Sequence, residues 1–398
     1  MKQGWEIKRL GDVCNVLNGL WIGKKEPFIN ICVIRNTNFT KDCKLTLDNV
    51  AYIDAEAKQF ASRKLLVGDI IVEKSGGSEK QPVGRVVLFD IVGGDYSFSN
   101  FTSALRVKDG VDVIPKYLHR CLYAHYLRGE TYKLQSKTTG LHNLDMKGYL
   151  RLPIPVPPIA EQERIVAELD CLSGIIEKKK QQLKELDNLA QSIFYEMFGD
   201  PVENDKGWDI YALSKNVKVK GRVGWKGYKK EDLRDSGPIA IGGGHLTDSG
   251  GLDLSSPVFL SMEKYLESPE IMIEVGDIIL VQRGTIGKVG LIATDIGMAT
   301  INPCVLILRP ENLNSIYLLH YFLNEAIQTH LKTLIKGVAQ PMITQQQVNG
   351  LLLPMPPLYL QQDFASKIES IEKQKELISK SIKETETLFH SRMDYYFG

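Results

Sequence analysis

Two glycine-rich loops with basic side chains are the first candidates for chemistry in this sequence. One carries Lys74 and Ser75, and the other runs from Gln282 through Arg283 to Lys288; each follows a Val-Gly-Asp-Ile-Ile segment. A phosphate-binding loop needs Ser or Thr after its Gly-Lys pair, and valine follows Lys288, which argues against nucleotide binding. Two interpretations remain: a tight turn that needs glycine, or a loop whose cations meet DNA phosphates or guanine edges.

Other polar loops occupy matching places in the two halves of the chain. Residues 35–38 correspond to the loop 242–245, and residues 137–143 correspond to 336–341. Amide, imidazole and cationic side chains can bond base edges or phosphates, although each loop is also explained as a plain connector. The predicted DNA-contacting residues are Arg35, Asn36, Asn38, Lys74, Ser75, Lys137, Thr138, His142, His245, Gln282, Arg283, Lys288, Lys336 and Gln340.

Catalytic chemistry is not indicated. The segment 302–305, Asn-Pro-Cys-Val, matches only part of the Asn-Pro-Pro-aromatic motif of amino-methyltransferases, and no Phe-x-Gly-x-Gly cofactor loop occurs. The six cysteines form no Cys-x-x-Cys pair and the seven histidines no His-Glu-x-x-His motif. Neither zinc nor disulfides are therefore predicted, and the thiols are expected to be reduced and mostly buried. We predict no catalytic residue, no metal and no cofactor for this chain.

Composition bounds the class of protein. A chain of 398 residues with 43% hydrophobic and 24% charged residues is typical of a globular protein and is long enough for two domains. The N-terminal residues lack the apolar core of a signal peptide and no apolar run approaches membrane-spanning length, so a cytoplasmic location without membrane contact is expected. A net charge of +1 is not that of a strongly basic nucleic-acid binder, so DNA contact would need local patches or partners.

Two long helices are predicted to position the polar loops. Residues 157–199 and 356–398 each begin with a Pro-Pro pair and show apolar residues at alternating spacings of four and three, which is the seam of a coiled coil. A narrow seam needs a partner, and the other copy is the nearest one, although each helix packing on its own body is the alternative. Lys179 and Lys375 interrupt the seams. Either they fix the register of the paired helices, or their aliphatic stems cover the seam while their ammonium groups reach water. The predicted seam residues are Ile165, Leu169, Leu172, Ile176, Leu183, Leu186, Ile193, Phe364, Ile368, Ile371, Ile378, Ile382 and Phe389.

A repeat extends over the whole chain. Residues 4–7, Gly-Trp-Glu-Ile, return as 207–210, Gly-Trp-Asp-Ile, and the Val-Gly-Asp-Ile-Ile segment at 67–71 returns at 275–279. The offset between matching segments drifts slowly along the chain, as loop insertions and deletions would produce in two diverged copies of one domain. We therefore expect an internal pseudo-two-fold repeat.

Within each copy the pattern of residues is mixed. Apolar periodicity predicts helices at 115–127 and 315–334, and short β-branched runs predict strands at 69–73, 83–89, 277–281 and 304–308. The predicted fold is α+β, with two similar α/β domains, 1–158 and 201–357, joined by two long antiparallel helices, 159–200 and 358–398.

Taken together, these motifs resemble the specificity subunit of Type I restriction-modification enzymes. The most specific matches are Pro-Pro-Ile-Ala-Glu-Gln-Glu-Arg-Ile at 157–165 and the segment 275–290. Departures are Leu360, where the first copy has Glu161, and the altered first-copy loop 74–81.

The resemblance implies that this chain recognises DNA and that partner subunits carry out the chemistry. Each globular domain would be a target recognition domain for one half of a split sequence in double-stranded DNA, and the helices would form the spacer. The implied partners are two methyltransferase subunits, which use S-adenosylmethionine to methylate adenine, and restriction or translocase subunits, which need ATP and Mg. This chain itself would catalyse nothing. The alternatives are a scaffold or decoy that assembles with methyltransferase subunits without binding DNA, and a self-contained methyltransferase or nuclease.

Overall fold

The computed structural model describes residues 4–21, 23, 25–78, 81–138, 141–222, 228–335 and 341–398, with only the backbone for 137, 138 and 141. The chain packs as two compact units: residues 1–178 with 381–398, and residues 179–380. Each unit combines one α/β body with part of each long helix. The units therefore divide the long helices, whereas the domain boundaries predicted from the sequence lie at the helix ends.

The first unit contains short strands and a few helices. Its strands are β1 (Glu6–Arg9), β2 (Cys14–Asn18), β3 (Phe28–Ile34), β4 (Ala51–Glu56), β5 (Ile70–Glu73), β6 (Ser75–Gly77), β7 (Val86–Leu88), β8 (Tyr96–Phe98), β9 (Thr102–Val107), β10 (Gln135–Thr138), β11 (Leu141–Leu144) and β12 (Pro153–Val156). Its helices are α1 (Leu10–Val13), α2 (Ala57–Arg63), α3 (Pro115–Leu127), α4 (Met146–Tyr149) and the first part of α5 (Ile159–Phe198), with 3-10 turns at Asn36–Asn38 and Glu130–Leu134.

The second unit has the same kinds of element. Its strands are β13 (Ile210–Ala212), β14 (Val217–Lys220), β15 (Leu233–Ile241), β16 (Phe259–Leu260), β17 (Ile278–Val281), β18 (Val289–Leu291), β19 (Ala299–Ile301), β20 (Val305–Pro310) and β21 (Leu352–Pro354). Its helices are α6 (Met262–Leu266), α7 (Ser315–Leu323), α8 (Glu325–Thr333), α9 (Gln345–Asn349) and the first part of α10 (Leu358–Phe397), with 3-10 turns at Leu213–Lys215, Lys230–Asp232, Gly243–His245 and Pro269–Ile271.

Sheet topology confirms the internal repeat. The first unit has a four-stranded sheet β2-β9-β5-β7, a three-stranded sheet β4-β3-β8 and the pair β1-β12. The second unit has the corresponding orders β14-β20-β17-β18, β16-β15-β19 and β13-β21. The first unit also has a three-stranded sheet β10-β11-β6. The fold is thus α+β, with the same body present twice.

The repeated Val-Gly-Asp-Ile-Ile segment has a structural cause in each unit. Gly68 and Gly276 adopt φ values of +97° and +95°, which favour glycine. The aspartate that follows is buried, and Asp69 accepts two hydrogen bonds of 2.7 Å from Arg106. In the second unit, Asp277 accepts two bonds of the same length from an arginine of β20. The segment therefore anchors the start of the central strand, whose far end leads to the candidate DNA-contacting loops.

Segments of the two long helices pack antiparallel within each unit. In the first unit Tyr396 Oη donates to Glu168 at 2.6 Å, and Arg164, one turn earlier on α5, donates to Tyr396 Oη at 3.2 Å. In the second unit the ring of Phe198, at the end of α5, lies 5.3 Å from that of Phe364, near the start of α10. All the predicted seam residues are buried or half-buried.

The helix ends also join the cores of the bodies. Ile165 and Leu169 share one core with α3 and with Phe389 of α10, and in the second unit Phe364 shares a core with Tyr317 of α7. Each helix segment therefore packs both on the other long helix and on its own body, so the two packing arrangements left open by the sequence occur together.

One predicted helix was wrong in extent. Residues 315–334 were expected to form a single helix, but Asn324 is extended (φ −63°, ψ 136°), so α7 ends before it and α8 begins after it. The Asn324 side chain accepts a hydrogen bond from Ala326 N–H at 2.9 Å and caps α8, because a short amide side chain can bond the free N–H groups at a helix start. The predicted helix 115–127 coincides with α3.

Four of the six cysteines are buried, while Cys171 is exposed and Cys304 is half-buried. Burial raises the pKa of Cys14, Cys43 and Cys121 to about 12, so these thiols stay protonated at neutral pH.

Within the described residues, no helix is long and apolar enough to span a bilayer.

Candidate nucleic-acid interface

The candidate interface lies at the end of the central strand of each unit. In the first unit, Lys74 N–H and Ser75 N–H donate to Phe101 O at 2.9 and 3.1 Å. Leu144 N–H donates to Lys74 O at 2.8 Å and ties the β10-β11 hairpin to the same place. Three segments that are distant in sequence therefore meet after β5.

The second unit repeats these hydrogen bonds. Gln282 N–H and Arg283 N–H donate to Cys304 O at 2.9 and 3.2 Å, and Ile343 N–H donates to Gln282 O at 3.1 Å. We call this set of three backbone bonds the strand-end frame. The same frame carries different side chains in the two units.

A fourth segment, the polar loop 35–38, lies beside the frame in the first unit. Asn36 Nδ2 is 3.4 Å from Glu73 Oε1 and 3.4 Å from the carbonyl oxygen of Ser75. The Asn36 side chain therefore connects this loop to the end of β5 and to the start of β6.

Asn38 stabilises the same loop from inside. It is buried, its Oδ1 accepts from Arg35 N–H at 3.0 Å, and its Nδ2 donates to Asp48 O at 3.1 Å. The predicted base contact does not fit Asn38, because its polar atoms are used within the unit.

His245 has the corresponding position in the second unit. Its Nδ1 accepts a hydrogen bond from Gly242 N–H at 3.0 Å, and its Nε2 lies 3.3 Å from Ser256 O. Since Nδ1 accepts, the proton of the neutral ring resides on Nε2, which donates to that carbonyl. His245 was predicted to contact DNA, but both of its nitrogens are used within the unit, where they support the 242–245 loop.

A buried ion pair holds the loops of the first unit. Arg85 donates from Nε and Nη2 to the two carboxylate oxygens of Glu73, at 2.9 Å each. The guanidinium also donates to Phe39 O at 2.7 Å and to Asn36 O at 3.2 Å. Burial by itself would lower the pKa of Arg85, but the hydrogen bonds and charge of Glu73 outweigh it and raise that pKa. Arg85 therefore stays charged and joins the polar loop to the central strand.

Polar side chains cluster on the first frame, and two of them are bonded to each other. Ser75 Oγ donates to Asn143 Oδ1 at 2.6 Å, across the pairing of β6 with β11. His142 precedes Asn143 on that strand, and Lys74 is half-buried, which lowers its pKa. The structure thus brings together Asn36, Lys74, Ser75 and His142, four residues that were predicted to contact DNA.

The second frame presents an exposed arginine. Arg283 Nη2 lies 3.8 Å from Met342 Sδ, and in the described part of the chain Arg283 has no carboxylate partner. Lys288 differs, because its Nζ lies 2.8 Å from Asp248 Oδ1. Because it has no acidic partner there and only Nη2 contacts the methionine sulfur, the Arg283 guanidinium keeps most of its N–H donors available for a ligand.

The glycine-rich loop of the second unit is a tight turn. Gly284 and Gly287 adopt φ values of +88° and +90°, and Gly287 N–H donates to Val281 O at 3.0 Å. These angles explain the glycines without a nucleotide, in agreement with the turn interpretation. Contact of this turn with DNA stays a prediction.

Two further predicted contacts are occupied by bonds inside the protein. Gln282 was predicted to contact DNA from the surface, but it is buried and its side chain donates to Pro303 O at 3.0 Å. It therefore supports the loop from inside the unit. Arg35 donates from Nη2 to Asn49 O at 2.7 Å, which holds the arginine along its own loop.

Four predicted contacts lie where no side chain is described. Lys137 and Thr138 belong to β10, for which the backbone alone is described at these positions. Lys336 and Gln340 lie outside the described residues. Their contact with DNA also stays a prediction.

Sequence reasoning missed four residues in or next to the frames: Phe101 and Cys304, whose carbonyls accept the frame bonds, and Asn143 and Met342, which precede the third donor. Their place depends on backbone bonds between distant segments, and any residue can supply a carbonyl oxygen. The internal repeat was a partial signal, because an alignment of the two copies through these positions would have paired them.

Among the described residues, no group of three or more His, Cys, Asp and Glu side chains is arranged to hold a metal ion.

Known proteins are similar to nearly the whole chain. A family model described as the type I restriction modification DNA specificity domain matches residues 2–188 and 228–387. A Methanocaldococcus jannaschii protein named as the MjaX specificity subunit of a type I restriction enzyme is 21% identical over 402 residues, covering 96% of this chain and 91% of that protein. The MjaVIII specificity subunit of the same organism is 25% identical over 293 residues, which is 66% of each chain.

A solved structure agrees at the level of the fold. A chain from a study of complex assembly and conformational transition of the type I R-M system superposes with a TM-score of 0.58 at 18% identity. The superposition covers 100% of this chain and 98% of that one.

Proposed function

We propose that this chain, which belongs to the family of type I restriction-modification DNA specificity domains, is the subunit through which such a complex recognises its DNA sequence. Each compact unit reads one half of a bipartite target. The chain itself catalyses no reaction.

One observation carries this proposal. The strand-end frame occurs in both units with the same backbone bonds, yet it presents Ser75 and Asn143 in one and Arg283 and Met342 in the other. A repeated backbone with unlike side chains is what two readers of unlike half-sites require, since phosphate contacts position a protein and side chains at base edges specify sequence.

The long helices have a second role in this proposal. Each is 40 residues long, about 60 Å at 1.5 Å per residue. They set the separation of the half-sites and dock two methyltransferase subunits, to which restriction or translocase subunits are added. S-adenosylmethionine, ATP and Mg bind to those partners and not to this chain.

The first experiment is a DNA-binding titration across salt. The chain is co-expressed with the type I methyltransferase subunit of its own host, and the purified complex and the chain alone are titrated with target and random duplexes. Binding by the complex should fall steeply with salt, because cationic side chains release counterions from phosphates. The chain alone, with its net charge of +1, should bind far more weakly.

The alternatives predict different outcomes. A scaffold or decoy would co-purify with the methyltransferase but leave DNA unbound at every salt concentration. A self-contained enzyme would methylate or cut DNA without a partner. Mapping adenine methylation in the host with and without this gene provides an independent check, because loss of one bipartite motif is expected only for a specificity subunit.

The proposed spacer role is tested by changing helix length. Two four-residue turns inserted into α5 should lengthen the unread spacer of the methylated motif. A motif with the same spacer, produced by a complex that still assembles, would refute this part of the proposal.

A further inference from the structure

The strand-end frame brings three equivalent positions together in each unit. In the first unit they are Ser75, Phe101 and Asn143; the Phe101 carbonyl accepts from Ser75 N–H, and the Ser75 hydroxyl bonds the Asn143 side chain at 2.6 Å. Because these bonds join β6, β11 and the turn before β9, the three residues keep fixed positions on the frame.

The second unit has Arg283, Cys304 and Met342 at these positions. The Cys304 carbonyl accepts from Arg283 N–H at 3.2 Å, and the Arg283 side chain reaches Met342 Sδ at 3.8 Å. Both the backbone bond and the side-chain contact are therefore reproduced. What differs is the chemistry: hydroxyl, aromatic ring and amide in one unit, and guanidinium, thiol and thioether in the other.

Two of the six side chains are exposed. Phe101 is 43% exposed, although its backbone is held by two hydrogen bonds. Arg283 is exposed and has no acidic partner among the residues that the structure describes. An aromatic ring left in water and an unpaired guanidinium are both stabilised by a ligand that offers an apolar group to the first and paired acceptors to the second.

We propose that these three positions determine base specificity in each unit, with Arg283 reading a guanine in one half of the target and Phe101 contacting a thymine methyl group in the other. This inference rests on the proposed function. Guanine presents O6 and N7 as paired acceptors in the major groove, which match the guanidinium fork, and thymine is the base that presents a methyl group there.

In this proposal, the residues that hold the loops in place are distinct from the residues that contact bases. Asn38 and His245 hold their loops through bonds within each unit, and the pair of Glu73 and Arg85 holds the first frame. Substitutions at those residues change stability and loop position. Substitutions at the three frame positions change which base is preferred, because the backbone bonds remain.

The first test replaces the reading arginine. The complete complex carrying Arg283→Gln is expressed in a host lacking adenine methylation, and methylated motifs are mapped on genomic DNA. One guanine in one half-site should become degenerate, with discrimination at that base pair reduced about tenfold or more, which is the size of a lost bidentate contact. The other half-site should stay unchanged.

Lys218→Gln is the matched control, because it removes one positive charge from the same unit. Lys218 is also exposed, with a side chain 60% accessible to water, and it forms an ion pair with Glu311; in the pairing of β14 with β20 it stands opposite Arg309, near the far end of β20. Five strand positions separate Arg309 from the frame residue Cys304, roughly 16 Å at about 3.3 Å per residue. This control should leave the whole motif unchanged.

The second test replaces the aromatic ring. Phe101→Cys introduces into the first unit the residue type that the second unit has, and Phe101→Leu retains an apolar side chain. The Cys variant should lose preference for one thymine in the half-site that Arg283→Gln leaves unchanged, and the Leu variant should retain part of it. Phe28→Cys is the control, because Phe28 is equally exposed, at 43%, and begins β3 at the end away from the 35–38 loop.

The outcomes separate this inference from the proposed function. An unchanged motif in Arg283→Gln or in Phe101→Cys, or one variant altering both half-sites, would overturn the inference and leave the DNA-recognition role intact. If methylation is too weak to map, selection from a random duplex library by the purified complex supplies the motif. A wild-type complex that selects no sequence at all would overturn the proposed function.

Discussion

The side-chain oxygen of Gln162 accepts a hydrogen bond from the backbone N–H of Ile114 at 2.9 Å, so the first turn of α5 is joined to the start of α3. The same amide donates to Asp112 O and Pro157 O at 2.8 Å each, and it is fully buried. In the second unit the equivalent glutamine accepts from a backbone N–H at 3.0 Å and donates to the proline carbonyl at 2.8 Å. This explains why glutamine recurs after Pro-Pro even though Leu360 replaces the glutamate before it.

Replacement of this glutamine should destabilise the first unit. Gln162→Ala leaves one buried N–H and two carbonyls without their partner, and the expected loss is about 1–3 kcal/mol in the free energy of unfolding. Urea denaturation provides the measurement. Glu163→Ala, at the adjacent exposed position of the same helix turn, is the control and should change stability by about 0.5 kcal/mol or less. Equal effects of the two substitutions would contradict the role assigned to Gln162.

The pair of Glu73 and Arg85 should behave as a buried ion pair. Arg85→Met leaves the Glu73 carboxylate buried without its partner, and a loss of about 3–5 kcal/mol is expected. The double variant Glu73→Leu with Arg85→Met removes both charges and should be less destabilised than Arg85→Met alone. Stability of the two single variants and the double variant in urea, combined as a double-mutant cycle, tests this. Simple additivity would show that the two side chains act independently.

Buried His119 should make stability depend on pH. Its Nε2 lies 3.2 Å from Cys43 O, and burial lowers its pKa to about 4 from the ordinary 6.5. Between those values the unfolded chain binds a proton that the folded chain excludes, so this histidine lowers stability as pH falls from 6.5 towards 4, by at most about 1.4 kcal/mol per pH unit. His119→Leu should reduce the slope of stability against pH in this range.

The control for that experiment is His330→Leu, because His330 is exposed to water. Stability in urea at several pH values provides the slope for each variant. A His119→Leu slope equal to that of the unmodified chain would mean that the His119 imidazole gains its proton as readily in the folded as in the unfolded state.

Lys375 should contribute little to stability despite lying in the seam. Its Nζ lies 2.7 Å from Asp187 of α5 and 2.7 Å from Glu372 of its own helix. Burial would lower the pKa of Lys375, but the bonds to these carboxylates outweigh it and raise that pKa. Both carboxylates are exposed to water, so we expect a coupling of about 0.2–1 kcal/mol between Lys375 and Asp187, which weakens with salt.

The coupling is measured by a double-mutant cycle of Lys375→Met and Asp187→Asn at low and high salt. A coupling well above this range would show that the lysine holds the helices more strongly than the exposure of its partners implies. A coupling of zero would leave the interpretation in which the lysine stem only covers apolar surface.

Local patterns were sufficient where a structure depends on neighbouring residues. The period of apolar residues determined α3, both long helices and their seams, because a helix face follows from spacing along the chain. The repeated motifs determined that one α+β body occurs twice. Composition and the lack of catalytic motifs pointed to a binding role.

Tertiary packing decided which polar side chains face solvent. Asn38, Gln282 and His245 carry the same kinds of donor and acceptor as a base-reading residue, but their side chains bond groups within their own unit: Asp48 O, Pro303 O and Gly242 N–H respectively. Phe101 joins the candidate interface only because its carbonyl meets the end of β5. Sequence determines the inventory of polar groups, whereas the fold decides which of those groups remain available, since a buried polar group must find its partner inside the protein.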